Sequence, residues 1–419
     1  MGGFGELGLR GELELVMSQK SFLVLVALIL LPAAWPVPSP GAGPEPRAEA
    51  AGNPGLQGEP TQKDTPNYQD YALLIAGLKG RQGPLSLEEG KPSWVNHARV
   101  MNQSWANFEK RQLSAMREWA ARELTPAEGH PVFYPFSGPD FVNMFTLFPR
   151  APTYIMVSLE PVGNLPDFGK AGGDNFFPSL QRSLYDLLQL TFFITPKLRA
   201  SLGTRDLKGV LPVLLFFMAR EGLQVREVNY WVMNSEGTVA ETPATAAPTA
   251  AAAGDIPGLR LVFKRPGAAE TQTLYYVRFN LHNNSFERNQ QLVSFLEKFA
   301  PFTTFSKAAS YLMHKPYFSA VRRFILEKSA AVLQSDSAIP LHYFDRAVWD
   351  LRFYGTYKGP IALFSNCYQK DLAEIYHKGQ DIRPLPFGIC YRHRPRTSNL
   401  MFAIKRPGWP PTVPAEIKI

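Results

Sequence analysis

The sequence predicts an α/β fold with a mixed, largely parallel sheet flanked by helices. The first observation is that "VFYPF" (132–136), "PDFVNMFTLF" (139–148) and "TYIMVSLEP" (153–161) have the patterns of a strand, a helix and a strand. That order is typical of a parallel βαβ unit. The second is that strand-like and helix-like segments also alternate in the second half of the chain. The third is the content of hydrophobic residues (45%) and aromatic residues (12%), which is enough for a substantial core.

The other elements follow from the spacing of apolar residues. Apolar residues at helical spacing, with charges between them, predict helices at 92–126, 177–194, 207–222, 285–300, 318–334 and 369–379. Short β-prone runs predict strands at 223–233, 259–265, 273–281, 339–344, 349–357, 386–392 and 399–405. Pro126 ends the first of these helices.

The N-terminal region predicts export to the periplasm or the outside of the cell. Lys20 precedes an unbroken apolar run from Phe22 to Leu31, followed by small residues and prolines, as in a secretory signal. We place this signal within residues 1–35 and expect translation to start at Met17, because residues 1–16 fit a signal poorly. The alternative is an uncleaved single-pass anchor through 22–31, although spanning a bilayer takes about 20 apolar residues.

The rest of the chain is predicted to form a single α/β body after a spacer. Residues 36–66 are rich in Pro, Gly, Ala and Glu, which is typical of a flexible, disordered spacer. The body is expected to cover 67–419. Within it, the low-complexity segment 235–256 predicts a disordered surface loop.

Two pairs of segments resemble each other within the chain. "PVFYPFSGPDFVNMF" (131–145) and "PIALFSNCYQKDLAEIY" (360–376) share a proline, an apolar run, Phe-Ser, a short turn and an amphipathic helix. Segments 191–228 and 303–341 also place a lysine, a leucine and a long helix at similar offsets. Internal duplication of an α/β unit and generic helix patterning both explain these similarities.

The charge and the motifs restrict the classes of partner. A net charge of +8 favours anionic envelope ligands, but no nucleic-acid-binding motif occurs. There is no Walker loop, dinucleotide fingerprint, EF-hand loop or paired-histidine metal motif, so we predict neither a cofactor nor a metal.

Ser137 has two interpretations. As a nucleophile it would occupy a sharp strand-to-helix turn, but Pro135 and Phe136 precede it where a nucleophile elbow carries glycine. The favoured interpretation is a helix cap, with Ser137 and Asp140 forming an S-x-x-D capping box. In either case, Ser137, Gly138 and Asp140 would lie at the carboxyl end of a strand, where α/β folds bind ligands.

A ligand-binding rim is therefore predicted from turns that share this edge. Glu160 ends the second strand and is a candidate general base, ligand hydrogen-bonder or arginine partner. Ser365 and Asp371 belong to the second Phe-Ser turn, which we expect to open on the same edge. In "YRHRPRTSN" (391–399), Arg392 and Arg394 can grip a phosphate or carboxylate; the alternative is a solvated turn.

Two cysteines, Cys367 and Cys390, complete the candidates. In an exported chain they predict one disulfide. A reactive Cys367 near a helix start is the alternative.

Together these features predict an exported cell-envelope protein that binds an unidentified, anionic ligand without catalysis. The first alternative is a metal-independent hydrolase that uses Ser137 or Asp140 with Glu160. The second is a membrane-tethered envelope assembly factor.

Overall fold

The protein has a mixed α/β fold, as the sequence predicts. The structure is a computed structural model that describes residues 67–80, 84–168, 175–204, 206–244, 252 and 254–408. The predicted secretion signal (1–35) and spacer (36–66) lie outside these residues. None of the described helices is both long and apolar enough to cross a membrane.

Eleven strands of the described chain form one sheet. They are β1 (Val132–Pro135), β2 (Thr153–Ser158), β3 (Gln224–Met233), β4 (Val239–Pro243), β5 (Ile256–Lys264), β6 (Thr271–Arg278), β7 (Phe302–Ser306), β8 (Ser329–Gln334), β9 (Trp349–Gly355), β10 (Ile382–Arg383) and β11 (Asn399–Lys405). Their order across the sheet is β10-β9-β11-β8-β7-β1-β2-β6-β5-β3-β4.

The centre of the sheet is parallel and both flanks are antiparallel. The strands β8, β7, β1, β2 and β6 run in one direction. On one flank β6, β5, β3 and β4 follow in that order, and each strand pairs antiparallel with the next. On the other flank β11 lies antiparallel to both β8 and β9, so β9 runs in the same direction as the central strands.

Helices cover both faces of this sheet. They are α1 (Tyr68–Ile75), α2 (Pro92–Phe108), α3 (Ser114–Glu123), α4 (Phe141–Leu147), α5 (Phe176–Leu190), α6 (Thr195–Leu202), α7 (Leu211–Arg220), α8 (Asn283–Phe286), α9 (Gln290–Glu297), α10 (Ser319–Lys328) and α11 (Lys370–Lys378). A π-helical turn, Glu109–Leu113, joins α2 to α3.

Alternate residues of the strands reach opposite faces, which divides the core into two layers. On one face Tyr154 contacts Phe141 of α4, with ring centroids 5.7 Å apart. On the other face Phe133 contacts Phe324 of α10 at 6.3 Å. In the sheet, β2 lies on one side of the neighbouring pair β7 and β1, and β8 lies on the other side. The connections from β1 to β2 and from β7 to β8 therefore run in opposite directions across the sheet. Because both connections are right-handed, α4 and α10 lie on opposite faces.

The predicted βαβ unit is confirmed. β1 and β2 pair in parallel with Val132 opposite Tyr154, and α4 connects them. The predicted strands at 223–233, 259–265, 273–281, 349–357 and 399–405 correspond to β3, β5, β6, β9 and β11.

The prediction of one helix over 318–334 is wrong in its second half. α10 ends at Lys328, and Ser329–Gln334 form β8, which pairs with β7 and β11. The apolar spacing of "SAAVLQ" fits a helix locally, but pairing on both sides stabilises the strand instead.

Part of the predicted disordered loop 235–256 is a strand. β4 pairs antiparallel with the end of β3, from Asn229 to Met233. The Asn234 side chain closes the intervening turn, because its Oδ1 accepts hydrogen bonds from the backbone N–H groups of Glu236 (3.0 Å) and Thr238 (2.9 Å). Residues 245–251 and 253 lie outside the described residues.

Three smaller predictions are also wrong. The segment 339–344 contains a 3-10 turn (Leu341–Tyr343) rather than a strand, and 386–392 is irregular. The helix predicted at 285–300 is divided into α8 and α9.

Internal duplication is not confirmed. The first Phe-Ser segment begins with a strand of the sheet, whereas the corresponding part of the second is the 3-10 turn Ala362–Cys367. The two segments therefore share the turn and the helix but not the element that precedes them.

Candidate ligand site at the carboxyl edge of the sheet

The carboxyl ends of β1, β2, β6, β7, β8 and β9 share one edge of the sheet, which we call the carboxyl edge. The chain leaves β1 towards β2 and leaves β7 towards β8, in opposite directions. This reversal between neighbouring strands is the position where open α/β sheets usually bind ligands.

Asp140, and not Ser137, is the N-cap of α4. Its carboxylate accepts a hydrogen bond from the Asn143 backbone N–H at 3.4 Å and from the Asn143 side-chain amide at 2.8 Å. Ser137 Oγ donates to the Gly138 carbonyl at 2.9 Å, so the predicted S-x-x-D capping box is wrong. Gly138, which precedes Pro139, has a left-handed backbone conformation (φ 55°) that glycine adopts without strain. The helix begins only at Phe141.

A buried ion pair joins the ends of β1 and β7. Lys307, directly after β7, places its Nζ 2.7 Å from Asp140 Oδ2, and the two side chains are 1% and 2% exposed. Nζ also donates to the Thr191 carbonyl at 2.6 Å. The Tyr134 hydroxyl donates to the same carboxylate at 3.0 Å, and burial beside Asp140 raises the pKa of Tyr134, which keeps this donor protonated.

Backbone strain is concentrated at this edge. Six residues other than glycine have left-handed φ values there: Phe136 (58°), Thr191 (71°), Ala308 (50°), Ser310 (50°), Tyr311 (53°) and Cys390 (67°). Each costs on the order of 1–3 kcal/mol, and such strain clusters at functional sites.

The predicted Cys367–Cys390 disulfide is wrong, because both cysteines are free and buried. The Cys390 sulfur already has its own partners. It accepts hydrogen bonds from the Ala308 N–H at 3.3 Å and from the Ser335 hydroxyl at 3.1 Å. Cys367 lies separately, in the 3-10 turn after β9.

Neither thiol is activated as a thiolate. Burial raises the pKa of both Cys367 and Cys390; the Lys315 ammonium opposes this effect at Cys367 but does not overcome it. The alternative of a reactive Cys367 therefore gains no support from its surroundings.

Asp336, directly after β8 and Ser335, connects several segments of the edge. Its carboxylate accepts hydrogen bonds from the Tyr311 hydroxyl (2.5 Å) and the Asn399 amide (3.1 Å). Its carbonyl accepts from Gln369 Nε2 at 2.9 Å and His314 Nε2 at 3.3 Å. Burial raises the pKa of Asp336.

Glu160 is buried beside the first Phe-Ser turn. Its carboxylate accepts a hydrogen bond from Ser158 Oγ, which itself accepts from the Gly138 N–H at 3.1 Å. Within the described residues no arginine forms an ion pair with Glu160. The structure thus brings Ser137, Gly138, Asp140 and Glu160 together, although all four are buried or half-buried.

The second Phe-Ser turn lies on the same edge but not beside the first. It follows β9, which is four strand spacings from β1, or about 19 Å. Ser365 is exposed and Asp371 is half-buried in the first turn of α11.

The two predicted anion-binding arginines differ in their surroundings. The Arg392 guanidinium forms hydrogen bonds with the backbone of the segment after β9. Its Nε donates to the Gly359 carbonyl at 2.8 Å, and its Nη2 donates to the Pro360 carbonyl at 3.0 Å. Arg394 is exposed, and its guanidinium has no hydrogen bond or ion pair within the described part of the chain.

An open cleft of about 600 Å³ lies beside the second turn, and we call it the edge cleft. Three segments line it: His314 with Lys315, Pro340 with His342, and 366–371 with Glu374. Tyr368 is 57% exposed, and its ring stacks on Tyr357 with centroids 6.0 Å apart.

The histidines of the edge cleft favour the neutral form. Burial lowers the pKa of His314 to about 4. Burial also lowers the pKa of His342, and the nearby Asp371 carboxylate opposes that effect. The charges of the edge cleft near pH 7 therefore come from Lys315, Lys370, Asp371 and Glu374. No cluster of metal-ligating residues was found in the described chain.

A second cleft, of about 630 Å³, lies between α2, α5 and α6. None of the site residues predicted from the sequence lines it. Its Asp186 carboxylate already pairs with Lys197 at 3.6 Å. The edge cleft is therefore the better candidate, because it combines the carboxyl edge with charged groups that have no ion-pair partner among the described residues.

Sequence reasoning missed Lys307, Lys315 and Asp336. Lys307 and Asp336 follow strands that the sequence analysis did not recognise, so their position at the edge was not apparent. A signal was present in "FTTFSK", where a short β-prone run ends at a serine and a lysine.

No family model, curated protein or solved structure matches this chain. A functional proposal therefore rests on the geometry of the carboxyl edge and on the patterns of the sequence itself.

Proposed function

We propose that this chain is an exported cell-envelope protein that binds a small polar ligand in the edge cleft without catalysing a reaction. The observation that carries the proposal is the edge cleft itself. It lies at the carboxyl edge, its volume falls within the usual range for ligand sites, and charged and aromatic groups converge in it. Export rests on the pattern around Phe22–Leu31 alone.

The hydrolase alternative has weaker support. Ser137 Oγ donates to a carbonyl and contacts no histidine, and Asp140 is fully engaged by Lys307, Tyr134 and Asn143. A nucleophile needs an adjacent base, and neither residue has one among its described partners.

A ligand screen with a matched pair of variants tests the binding function. Thermal shifts of the purified protein would be measured with millimolar mixtures of carboxylic acids, phosphate esters, sugar acids, amino acids and short peptides. Asn366→Trp fills the edge cleft from its exposed rim. Ser365→Trp places the same ring on the neighbouring exposed residue outside the cleft and serves as the control.

We expect at least one mixture to raise the melting temperature of the wild type and of Ser365→Trp, but not of Asn366→Trp. Equal shifts in all three proteins would exclude the edge cleft as the site. Hydrolysis of an ester, phosphoester or glycoside that is lost in a folded Ser137→Ala variant would overturn the non-catalytic assignment.

A further inference from the structure

Four charged side chains line the edge cleft, two of each sign: Lys315, Lys370, Asp371 and Glu374. Within the described residues, none of them forms an ion pair with another or with any other side chain. By contrast, the buried Asp140–Lys307 pair is closed at 2.7 Å. The edge cleft therefore offers positive and negative groups that remain available to a ligand.

We propose that the ligand is dipolar, a short peptide with a free amino group and a free carboxylate. This inference rests on the proposed binding function and specifies its ligand. A simple anion would be attracted by the two lysines but repelled by Asp371 and Glu374. A simple cation would be attracted by the two carboxylates but repelled by the lysines. A molecule that carries both charges satisfies both pairs of side chains at once.

The placement of the charges on α11 supports an ammonium site. Asp371 and Glu374 are three residues apart, so their side chains project from the same side of the helix. Asp371 also accepts a hydrogen bond from the Leu372 N–H at 2.8 Å, which fixes one carboxylate oxygen. Lys315 belongs to a different segment, next to Cys367 on the cleft wall, and would bind the ligand carboxylate.

The volume and the aromatic lining favour a peptide over a single amino acid. About 600 Å³ is a volume typical of sites for drug-sized molecules. The exposed ring of Tyr368, held by Tyr357, presents a flat apolar surface at the cleft. An apolar or aromatic side chain between the two charged ends of a dipeptide or tripeptide would pack on it.

Calorimetric titration with free and blocked peptides tests this inference. Pools of free dipeptides and tripeptides would first be ranked by thermal shift, and the best peptide would then be compared with its N-acetyl and C-amide forms. We expect each block to weaken binding about tenfold or more, because each removes one charge-assisted contact.

Variants assign each end of the peptide. Lys315→Met should weaken binding of the free peptide, and amidation of the peptide's C-terminus should then have no further effect. Asp371→Asn should likewise weaken binding of the free peptide, and N-acetylation should then have no further effect. The controls are Lys378→Met, at the far end of the same helix, and Glu270→Gln, on an exposed loop. Both make the same change of charge outside the edge cleft and should bind like the wild type.

The outcomes separate this inference from the proposed function. If purely anionic compounds bind in a manner sensitive to Asn366→Trp while free peptides do not, the dipolar ligand is wrong and the binding function stands. Blocked peptides that bind as tightly as the free form would also overturn the inference. If no compound shifts the wild type, both proposals fail.

Discussion

Replacing Lys307 by methionine should destabilise the protein strongly, because it leaves the Asp140 carboxylate inside the protein without its counter-charge. The ammonium and the carboxylate are 2.7 Å apart and only 1% and 2% exposed, so water cannot replace the lost partner. Removing one member of a buried pair typically costs about 3–5 kcal/mol. Tyr134 and Asn143 still donate to Asp140, so we expect a value at the lower end, about 3 kcal/mol.

Urea unfolding followed by tryptophan fluorescence measures this cost. The double variant Asp140→Asn/Lys307→Met removes both charges and should recover much of the loss, since a neutral pair carries no uncompensated charge. Lys197→Met is the matched control. Its ammonium pairs with Asp186 but is 51% exposed, and such pairs contribute about 0–1 kcal/mol. The reasoning is refuted if Lys307→Met costs no more than this control, or if the double variant is no more stable than Lys307→Met.

Three further predictions concern the edge and the core. Ala308→Gly should be neutral or stabilising by up to about 1 kcal/mol, because φ is 50° at this position, whereas Ala309→Gly in the buried neighbour should cost about 1 kcal/mol; equal losses in thermal melts would contradict the assigned strain. Burial lowers the pKa of His97 to about 4, so the folded state binds fewer protons than the unfolded state between pH 6.5 and 4, and stability should fall as the pH drops through that window. In His97→Gln the loss of stability over this window should be smaller by up to about 3 kcal/mol, and the remaining loss would include the contributions of His314, His342 and His393. If urea unfolding showed the same dependence of stability on pH in His97→Gln as in the wild type, this would argue against a neutral His97. Finally, the intact mass of the protein should be the same with and without reductant, because both cysteines are free. Cys367 and Cys390 should react with iodoacetamide slowly in the folded protein and quickly in denaturant. A mass increase of two hydrogens on reduction would instead show that the disulfide is present.

The parts of the fold that the sequence predicts are those with strong local patterns. β1, α4 and β2 are delimited by Pro and Gly, and β5 and β6 have dense β-branched and aromatic runs, so their local preferences agree with their final pairing. The same holds for the amphipathic helices α2 and α5.

The parts that it misses depend on contacts distant in sequence. β7 has only five residues and includes two buried threonines, and β8 continues the apolar spacing of α10 without a break. Only the pairing of these strands with β1, with each other and with β11 defines them. Because Lys307 and Asp336 directly follow β7 and the end of β8, the two unrecognised strands also hid the residues that organise the carboxyl edge.

The disulfide was predicted from cysteine number and presumed compartment, which carry no information on distance. Whether two cysteines can meet depends on the geometry of their backbones, and that geometry is set by the whole sheet. Cys390 instead occupies a position among the ends of β7 and β8 that suits a small, weakly polar side chain.

The last strand described, β11, lies between β8 and β9 in the interior of the sheet. During synthesis, β9 and β10 therefore have no bridge to the parallel centre until β11 has emerged. A growing polypeptide therefore keeps an unfilled slot between β8 and β9 until residues 399–405 have emerged.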